Sequence, residues 1–168
     1  LLIEKGLDPD VPDKKGNSAL VLAADKGHLE AVKILATSKA NLDHHDIYGA
    51  TALMKASGNG HLELVQYLLE QGADAKLKDS DGATARHWTA EQGHVEVMAE
   101  LLKYPIDINS IDDEGWSALI EASYGGHLQV VQLLLQHKAD KTIQDTRGKT
   151  AHDYAGTRGR AEIIKALQ

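Results

Sequence analysis

Histidine is the residue type in this chain that most suggests chemistry, because its imidazole binds metals and transfers protons near neutral pH. Four of the nine histidines recur every 33 residues, as His28, His61, His94 and His127. If each occupies the same place in a stack of repeated helices, neighbouring copies lie about 8–10 Å apart. Zinc ligands lie about 2 Å from the metal, so these side chains cannot share one ion. We therefore predict no metal site at these histidines.

A second candidate cluster is His44 and His45, which Asp43 and Asp46 flank. Two adjacent residues on an extended segment point in opposite directions, so the two imidazoles do not converge. The pattern favours a solvated loop over a site.

The tripeptide Gly148-Lys149-Thr150 resembles the end of a phosphate-binding loop. That motif needs an earlier glycine at position 143, which is Ile143 here. No GxSxG or HExxH pattern occurs in the chain. We therefore predict no catalytic residue, no cofactor and no enzymatic activity.

The elements that carry these residues repeat at a fixed period. Two series of glycines recur every 33 residues without insertion or deletion: Gly16, Gly49, Gly82, Gly115 and Gly148, and Gly27, Gly60, Gly93, Gly126 and Gly159. Such self-similarity is typical of proteins built from stacked repeats.

One copy of the repeat can be interpreted physically. Residues 46–49 begin with Asp and end with Gly, as type I turns prefer. A first helix is expected from near Thr51, and Gly60 permits the positive φ that ends it. A second helix with apolar residues at helical spacing is expected from about His61 to Gly72. Such a unit needs neighbours to bury both helices.

Two recurring motifs make the chain resemble the ankyrin repeat family over essentially its whole length. They are the turns DKKGNSAL, DIYGATAL, DSDGATAR, DDEGWSAL and DTRGKTAH and the links KGHLEAVKIL, NGHLELVQYL, QGHVEVMAEL and GGHLQVVQLL. The resemblance implies an all-α fold, a solenoid of stacked helix–turn–helix units with short hairpin-like loops.

The repeats run through residues 1–168, which we therefore expect to form a single domain. Full repeats are expected at 13–45, 46–78, 79–111 and 112–144. Residues 1–12 match the end of a preceding repeat through Leu2 and Gly6, which indicates a longer parent protein. Residues 145–168 are expected to form a C-terminal capping repeat, with the polar residues His152, Asp153, Arg158 and Arg160.

The chain departs from the family pattern early in the first helices. Alanine stands where the family usually has proline. Shortly after it the family usually has histidine, and here only the third unit has one, His87, which could form the family's hydroxyl–imidazole link with Thr84. Apolar packing should replace that hydrogen bonding in the other units.

The loop after the second helix departs from the family pattern at its glycine position. Its glycine position is filled by Gly72 in one unit and by Lys39, Pro105 and Lys138 in the others. Lysine adopts the left-handed conformation at a cost of roughly 1–2 kcal/mol, but the proline ring excludes it. The loop KYPIDIN should therefore take a different path.

Composition narrows the function classes. The net charge of −7 argues against nucleic acid as a partner. The absence of Cys excludes a disulfide framework. No signal peptide or apolar run of transmembrane length is present, so we expect no membrane insertion. A cytoplasmic or nuclear location is the default expectation, and secretion by a host-targeting bacterium is the alternative.

The first functional hypothesis is a non-catalytic protein–protein interaction module, expected to be a monomer, that binds a partner on its concave face. The resemblance implies that hairpin tips and first helices hold the partner. The alternative is a targeting or regulatory ankyrin domain of a larger enzyme. A structural spacer is the third hypothesis, and it predicts a featureless concave face.

That face is not featureless. Its predicted partner-binding residues combine aromatic rings with carboxylates between two basic ends: Tyr48, Lys55, Asp81, Trp88, Glu91, Asp113, Glu114, Trp116, Glu121 and Tyr124. Rings and carboxylates together favour a peptide with Lys or Arg residues. We expect it to lie across the second to fourth repeats, anchored near Trp88 and Trp116, since an indole at a turn position otherwise lies in water without a use.

One modification site is suggested by the resemblance. Leu101, Asp107, Ile108 and Asn109 match the pattern of ankyrin repeats whose asparagine is hydroxylated by an oxygen-dependent enzyme. The alternative is that Asn109 only caps or turns its loop.

Overall fold

The computed structural model describes residues 8–168, in which ten helices form and no strand does. The first helices of the five units are α1 (Ala19–Asp25), α3 (Ala52–Gly58), α5 (Ala85–Gln92), α7 (Ala118–Gly125) and α9 (Ala151–Thr157). The second helices are α2 (Leu29–Thr37), α4 (Leu62–Glu70), α6 (Val95–Leu101), α8 (Leu128–Gln136) and α10 (Ala161–Leu167).

Each first helix contacts the first helix of the next unit, and each second helix contacts the next second helix. The expectation of an all-α solenoid is confirmed. The residues predicted to end a preceding repeat, Leu2 and Gly6, lie outside the described residues.

Side-chain hydroxyls start the first helices. Ser18, Thr51, Ser117 and Thr150 precede α1, α3, α7 and α9, and each accepts a hydrogen bond from the backbone amide three residues later. This cap satisfies one of the amides that a helix leaves without an internal partner.

The recurring histidines link one unit to the next. Nε2 of His61, His94 and His127 lies 3.4, 3.1 and 2.8 Å from a carbonyl oxygen of the preceding unit. The imidazole passes so close to the preceding link that a Cβ on Gly93 would lie 2.3 Å from Nδ1 of His127. These contacts show a structural role for His61, His94 and His127.

The hairpin tips are joined by one backbone hydrogen bond per junction. An amide at each tip donates to a carbonyl of the preceding tip over 2.8–3.0 Å: Ile47 to Lys15, Ser80 to Tyr48, Asp113 to Asp81 and Thr146 to Glu114. The tips therefore form one continuous edge.

The core is aliphatic, and Leu68 and Leu134 are fully buried. At the position where the family has histidine, Val21, Met54 and Ile120 are also buried. His87 is an exception, as predicted: its Nδ1 lies 2.9 Å from the hydroxyl oxygen of Thr84. Asp153 of the last unit is a second one, since its carboxylate accepts a hydrogen bond of 2.8 Å from the Thr150 hydroxyl, which corrects the expectation of apolar packing in that unit. Nε2 of His87 lies 3.1 Å from the carbonyl oxygen of Ser110, at the end of the same unit, and 3.1 Å from that of Trp116 in the next unit.

The loop around Pro105 takes a path of its own, as predicted. Lys39 and Lys138 adopt left-handed conformations, with φ of 64° and 65°, whereas Pro105 does not. Helix α6 has seven residues, whereas α2, α4 and α8 have nine. Proline disfavours helical geometry in the residue before it, here Tyr104, and this explains the early end.

Arg86 replaces the hydrogen bonds that this loop lacks. In the other loops an alanine amide closes onto a leucine carbonyl, as Ala73 does onto Leu68 over 3.0 Å. In the third unit the guanidinium of Arg86 donates to the carbonyls of Leu101, Tyr104 and Ile106 over 2.8–3.2 Å. Arg86 is only 2% exposed, so the loop wraps around a buried cation.

Candidate partner-binding face

Hairpin tips and first helices form one surface, which we call the first-helix face. Tyr48 and Ile47 lie on the second tip and are 64% and 61% exposed. The carboxylates Asp81, Asp113 and Glu114 are exposed on the third and fourth tips, and Glu91 is exposed on α5. The predicted residues thus share one side of the stack, but they divide into groups with different surroundings.

A nine-residue relationship organises this face. In the second, third and last units, the aspartate that starts the turn receives a donor from the first helix of the same unit. In the first unit the residue nine positions after Asp13 is Leu22, which has no donor. Asp46 pairs with Nζ of Lys55 at 3.1 Å, and Asp79 accepts from Nε1 of Trp88 over 2.7 Å. In the last unit the hydroxyl of Tyr154 donates to Asp145.

The fourth unit breaks this relationship. Its turn aspartate is Asp112, and the residue nine positions later is another carboxylic acid, Glu121. Within the described chain, the Glu121 carboxyl makes no hydrogen bond or ion pair. Burial, reinforced by the charges of Glu91, Asp112 and Glu114, raises the pKa of Glu121 to about 8.

A depression of about 260 Å³ lies between α5 and α7 at this point. Its lining is Asp79, Asp81, Ala83, His87, Trp88, Glu91, Asp112 and Glu121. Because burial lowers the pKa of His87, the lining contains carboxyl groups and no permanent cation. Among the described residues, no three side chains are arranged to hold a metal ion.

Cations of the same chain cover the predicted anchor Trp88 and the predicted partner-binding residue Tyr124. Nζ of Lys55 lies 5.1 Å from the ring centroid of Trp88. The guanidinium carbon of Arg158 lies 4.1 Å from the ring centroid of Tyr124. The rings of this face therefore already bind cations, as expected of an electron-rich ring face.

Trp116 does not lie in water, which corrects the expectation made from its turn position. Its ring is half-buried, 5.3 Å from the Tyr124 ring centroid and 4.7 Å from that of Tyr154. Its Nε1 is buried without a hydrogen-bond partner. Trp116 thus packs the fourth unit against the last, and only part of its ring lines a second depression beside Glu121.

The basic ends of the face are not equivalent. Lys14 and Lys15 are exposed on the first tip. At the other end Arg147 pairs with Glu114 at 3.3 Å. Glu114 therefore has a cation of the same chain as its partner, whereas Asp81 and Glu91 make no ion pair within the described residues.

Asn109 has a structural explanation. Its side-chain oxygen accepts the backbone amide of Asp140 over 2.8 Å. Asp10 and Asp43 hold Asn41 and Asp74 in the same way, each over 2.9 Å. The loop-capping interpretation is supported, and hydroxylation of Asn109 stays a prediction.

Sequence reasoning missed Asp79 and Asp112 as members of the face, because it interpreted them only as turn residues. The signal was the recurrence, in three of the five units, of a donor nine residues after the turn aspartate. It also missed Arg86, whose partners lie 15 to 20 residues away.

None of the helices in residues 8–168 has the length and hydropathy to cross a membrane. The family described as ankyrin repeats (3 copies) matches the chain over residues 1–79, 59–145 and 87–168. A search of curated protein sequences finds no match.

Proposed function

Because the chain belongs to the ankyrin repeat family, we propose that it is a non-catalytic module that binds a Lys- or Arg-containing segment of another protein on its first-helix face. Ankyrin repeats generally mediate protein–protein interactions. Stacked repeats use an extended concave surface for binding, and we assign that role to the first-helix face.

The observation that supports this function is the uncompensated charge at the centre of the face. Asp81 and Glu91 are exposed beside Glu121, and none of the three makes an ion pair within the described residues. A cationic segment would supply the missing charge, and the negative field would speed its approach. Trp88 adds the aromatic anchor that binding sites favour.

The segment should run along the edge of the stack. Tyr48 and Ile47 provide an exposed apolar contact one unit before Trp88. Asp81 and Glu91 lie in the same unit as Trp88, and Glu121 lies one unit after it. An extended chain advances about 3.3 Å per residue, and neighbouring units are about 8–10 Å apart. An apolar residue and a cation of the partner should therefore lie a few residues apart.

Selection from a displayed library of random 16-residue peptides tests the proposal. Enriched peptides are expected to carry Lys or Arg and to bind the whole chain. Glu91→Lys reverses an exposed charge on α5 and should weaken them about tenfold or more. Glu63→Lys makes the same change on α4 and is the matched control, because Glu63 lies on a second helix.

A second variant tests the aromatic anchor. Trp88→Ala should cost ~2 kcal/mol or more of binding, and circular dichroism melting of the variant checks that it folds. Failure to enrich any peptide, or peptides that Glu63→Lys weakens and Glu91→Lys does not, would reject this face.

A further inference from the structure

We infer that Gly58 is a positioning residue for partner binding, because the space that it leaves holds the indole of Trp88 in one orientation on the first-helix face. The inference rests on the proposed function, in which Trp88 is the aromatic anchor. It names the residue of the preceding unit that makes this anchor rigid.

The Trp88 ring packs against the end of α3 at a place where only glycine leaves room. Gly58 is the last residue of α3, and Trp88 lies on α5 of the next unit. A Cβ on Gly58 would lie 2.9 Å from Cε3 of Trp88 and 3.6 Å from its Cβ. Carbon atoms pack best at about 3.5–4.0 Å, so any side chain on residue 58 requires the ring to move.

The backbone does not explain this glycine. Gly58 has no positive φ, unlike Gly49 in the turn and Gly60 in the link. It lies within a helix, where glycine is less favourable than alanine. Since glycine weakens the helix and no special conformation requires it, the space beside the ring is its explanation.

The same position forms a pair at each described junction of first helices. A residue in the last turn of one first helix lies beside the residue 30 positions later on the next, and these pairs differ in chemistry. The opposite charges of the first pair line one depression, two glutamates line another, and the two tyrosine rings of the last pair are 5.7 Å apart. The pairs are Asp25 with Lys55, Gly58 with Trp88, Glu91 with Glu121, and Tyr124 with Tyr154. The second junction therefore combines the smallest type of residue with the largest.

Two further contacts fix the orientation of the ring. Nε1 of Trp88 donates to Asp79 of its own hairpin over 2.7 Å. Nζ of Lys55, also on α3, lies 5.1 Å from the ring centroid. Together with the contact at Gly58, these hold the indole from two elements before any partner arrives. A side chain that is already ordered loses less conformational entropy on binding, which favours affinity.

The arrangement also limits what the partner contacts. The indole N–H already donates to Asp79, so the partner meets the ring itself and accepts no hydrogen bond from it. The aliphatic stem of a lysine and the planar guanidinium of an arginine both pack on such a ring. This agrees with a segment that contains Lys or Arg.

The first experiment needs no partner and uses the whole chain. It compares Gly58→Ala and Gly58→Leu with the same substitutions at Gly156, which also lies within a first helix and has nothing within 4 Å of a Cβ. In the Gly58 variants the ¹⁵N–¹H signal of the Trp88 indole should shift, more for Leu than for Ala. Its N–H should exchange with water about tenfold faster or more, because Asp79 no longer protects it. The Gly156 variants should leave the Trp88 signal unchanged.

Peptides enriched from the displayed library then measure binding. Gly58→Leu should weaken them about tenfold or more, and Gly156→Leu should not weaken them. In the Trp88→Ala background, Gly58→Leu should have no further effect, because Gly58 acts through the indole. Circular dichroism checks that each variant is folded, and Gly58→Ala serves if the leucine variant is not.

An unmoved Trp88 signal in the Gly58 variants, additive losses of Gly58→Leu and Trp88→Ala, or equal weakening by Gly156→Leu would overturn the inference. Failure to enrich any peptide rejects the proposed function and with it the role of Gly58 in binding. Enriched peptides that bind Gly58→Leu as well as the parent reject that role alone and leave the interaction function intact.

Discussion

Arg86 donates a hydrogen bond of 2.9 Å to the carbonyl oxygen of Leu101, the acceptor that the other loops use for a backbone amide. Arg86 occupies the position of Leu53 in the second unit, where the side chain is apolar and buried. Pro105 prevents the regular loop conformation. The buried guanidinium of Arg86 donates to the loop carbonyls that would otherwise have no hydrogen-bond donor. Two local departures from the repeat thus compensate each other.

Replacing Arg86 by Leu should lower the free energy of unfolding by about 1–3 kcal/mol, because carbonyls at the loop lose their donor. In the double variant Arg86→Leu/Pro105→Gly the regular loop becomes accessible. We expect that variant to recover part of the loss, with a coupling energy of about 0.5–3 kcal/mol. Urea denaturation of the four proteins measures the cycle, and strictly additive effects would contradict the compensation.

Lys138→Gly should stabilise the protein by about 0.5–1 kcal/mol. Lys138 has φ of 65°, a conformation that costs a residue with a Cβ roughly 1–2 kcal/mol. Glycine removes this cost, but it also raises the entropy of the unfolded chain, so the net stabilisation is smaller. Lys76 is an exposed loop lysine outside the left-handed region. Lys76→Gly is therefore the control and should not stabilise. Chemical denaturation compares them, and equal shifts would reject the backbone explanation.

Truncating Leu68 or Leu134 to Ala should cost about 2–5 kcal/mol through lost burial and a cavity. Both are fully buried in units with a neighbour on each side. Leu167 is 4% exposed in the last unit, which has one described neighbour, so Leu167→Ala should cost less. A denaturation series that ranks Leu167 as most sensitive would contradict the nearest-neighbour description of the stack.

Glu121→Gln should stabilise the protein increasingly as pH rises. The pKa of Glu121 is raised from 4.5 to about 8 in the folded chain, so the native state holds this proton more tightly than the unfolded state does. Its contribution to stability is complete below pH 4.5 and is lost between pH 4.5 and 8. Glutamine does not titrate, so the variant keeps its stability as the pH rises.

The measurement for Glu121 is the difference in unfolding free energy between variant and parent at pH 5, 6.5, 8 and 9. The difference should grow up to about pH 8 and then level. Glu63→Gln, on the second helix α4 and away from the acidic cluster, should show a flat difference. A flat profile for Glu121→Gln as well would remove the acidic cluster as its cause.

Local patterns predicted the fold well. The glycines at each turn and link mark places where a positive φ is needed, and the structure has it at Gly49 and Gly60. Pro105 likewise predicted the irregular loop, since the constraint lies within one residue. What could not be predicted was which side chain would satisfy that loop, because Arg86 reaches it through the core.

In the candidate site, too, local features could be predicted from the sequence and contacts between units could not. The exposed tip residues follow from their turn positions, but Trp116 was misjudged because its packing partner Tyr154 belongs to the next unit. The depression at Glu121 arises from the contact of α5 with α7. The pKa of Glu121 depends on its burial, on Glu91 of α5 and on Asp112 and Glu114 of the hairpin. Such properties belong to the assembled stack and not to any one repeat.

The most direct test of the account is an NMR titration of the ¹⁵N-labelled chain with a selected peptide. The chain has two tryptophans and hence two indole N–H signals. The indole of Trp88, which donates to Asp79 on the first-helix face, should shift together with backbone amides of α5, α7 and their tips. The buried indole N–H of Trp116 should move less. Perturbations confined to α4, α6 and α8, with the Trp88 signal unmoved, would contradict binding on the first-helix face.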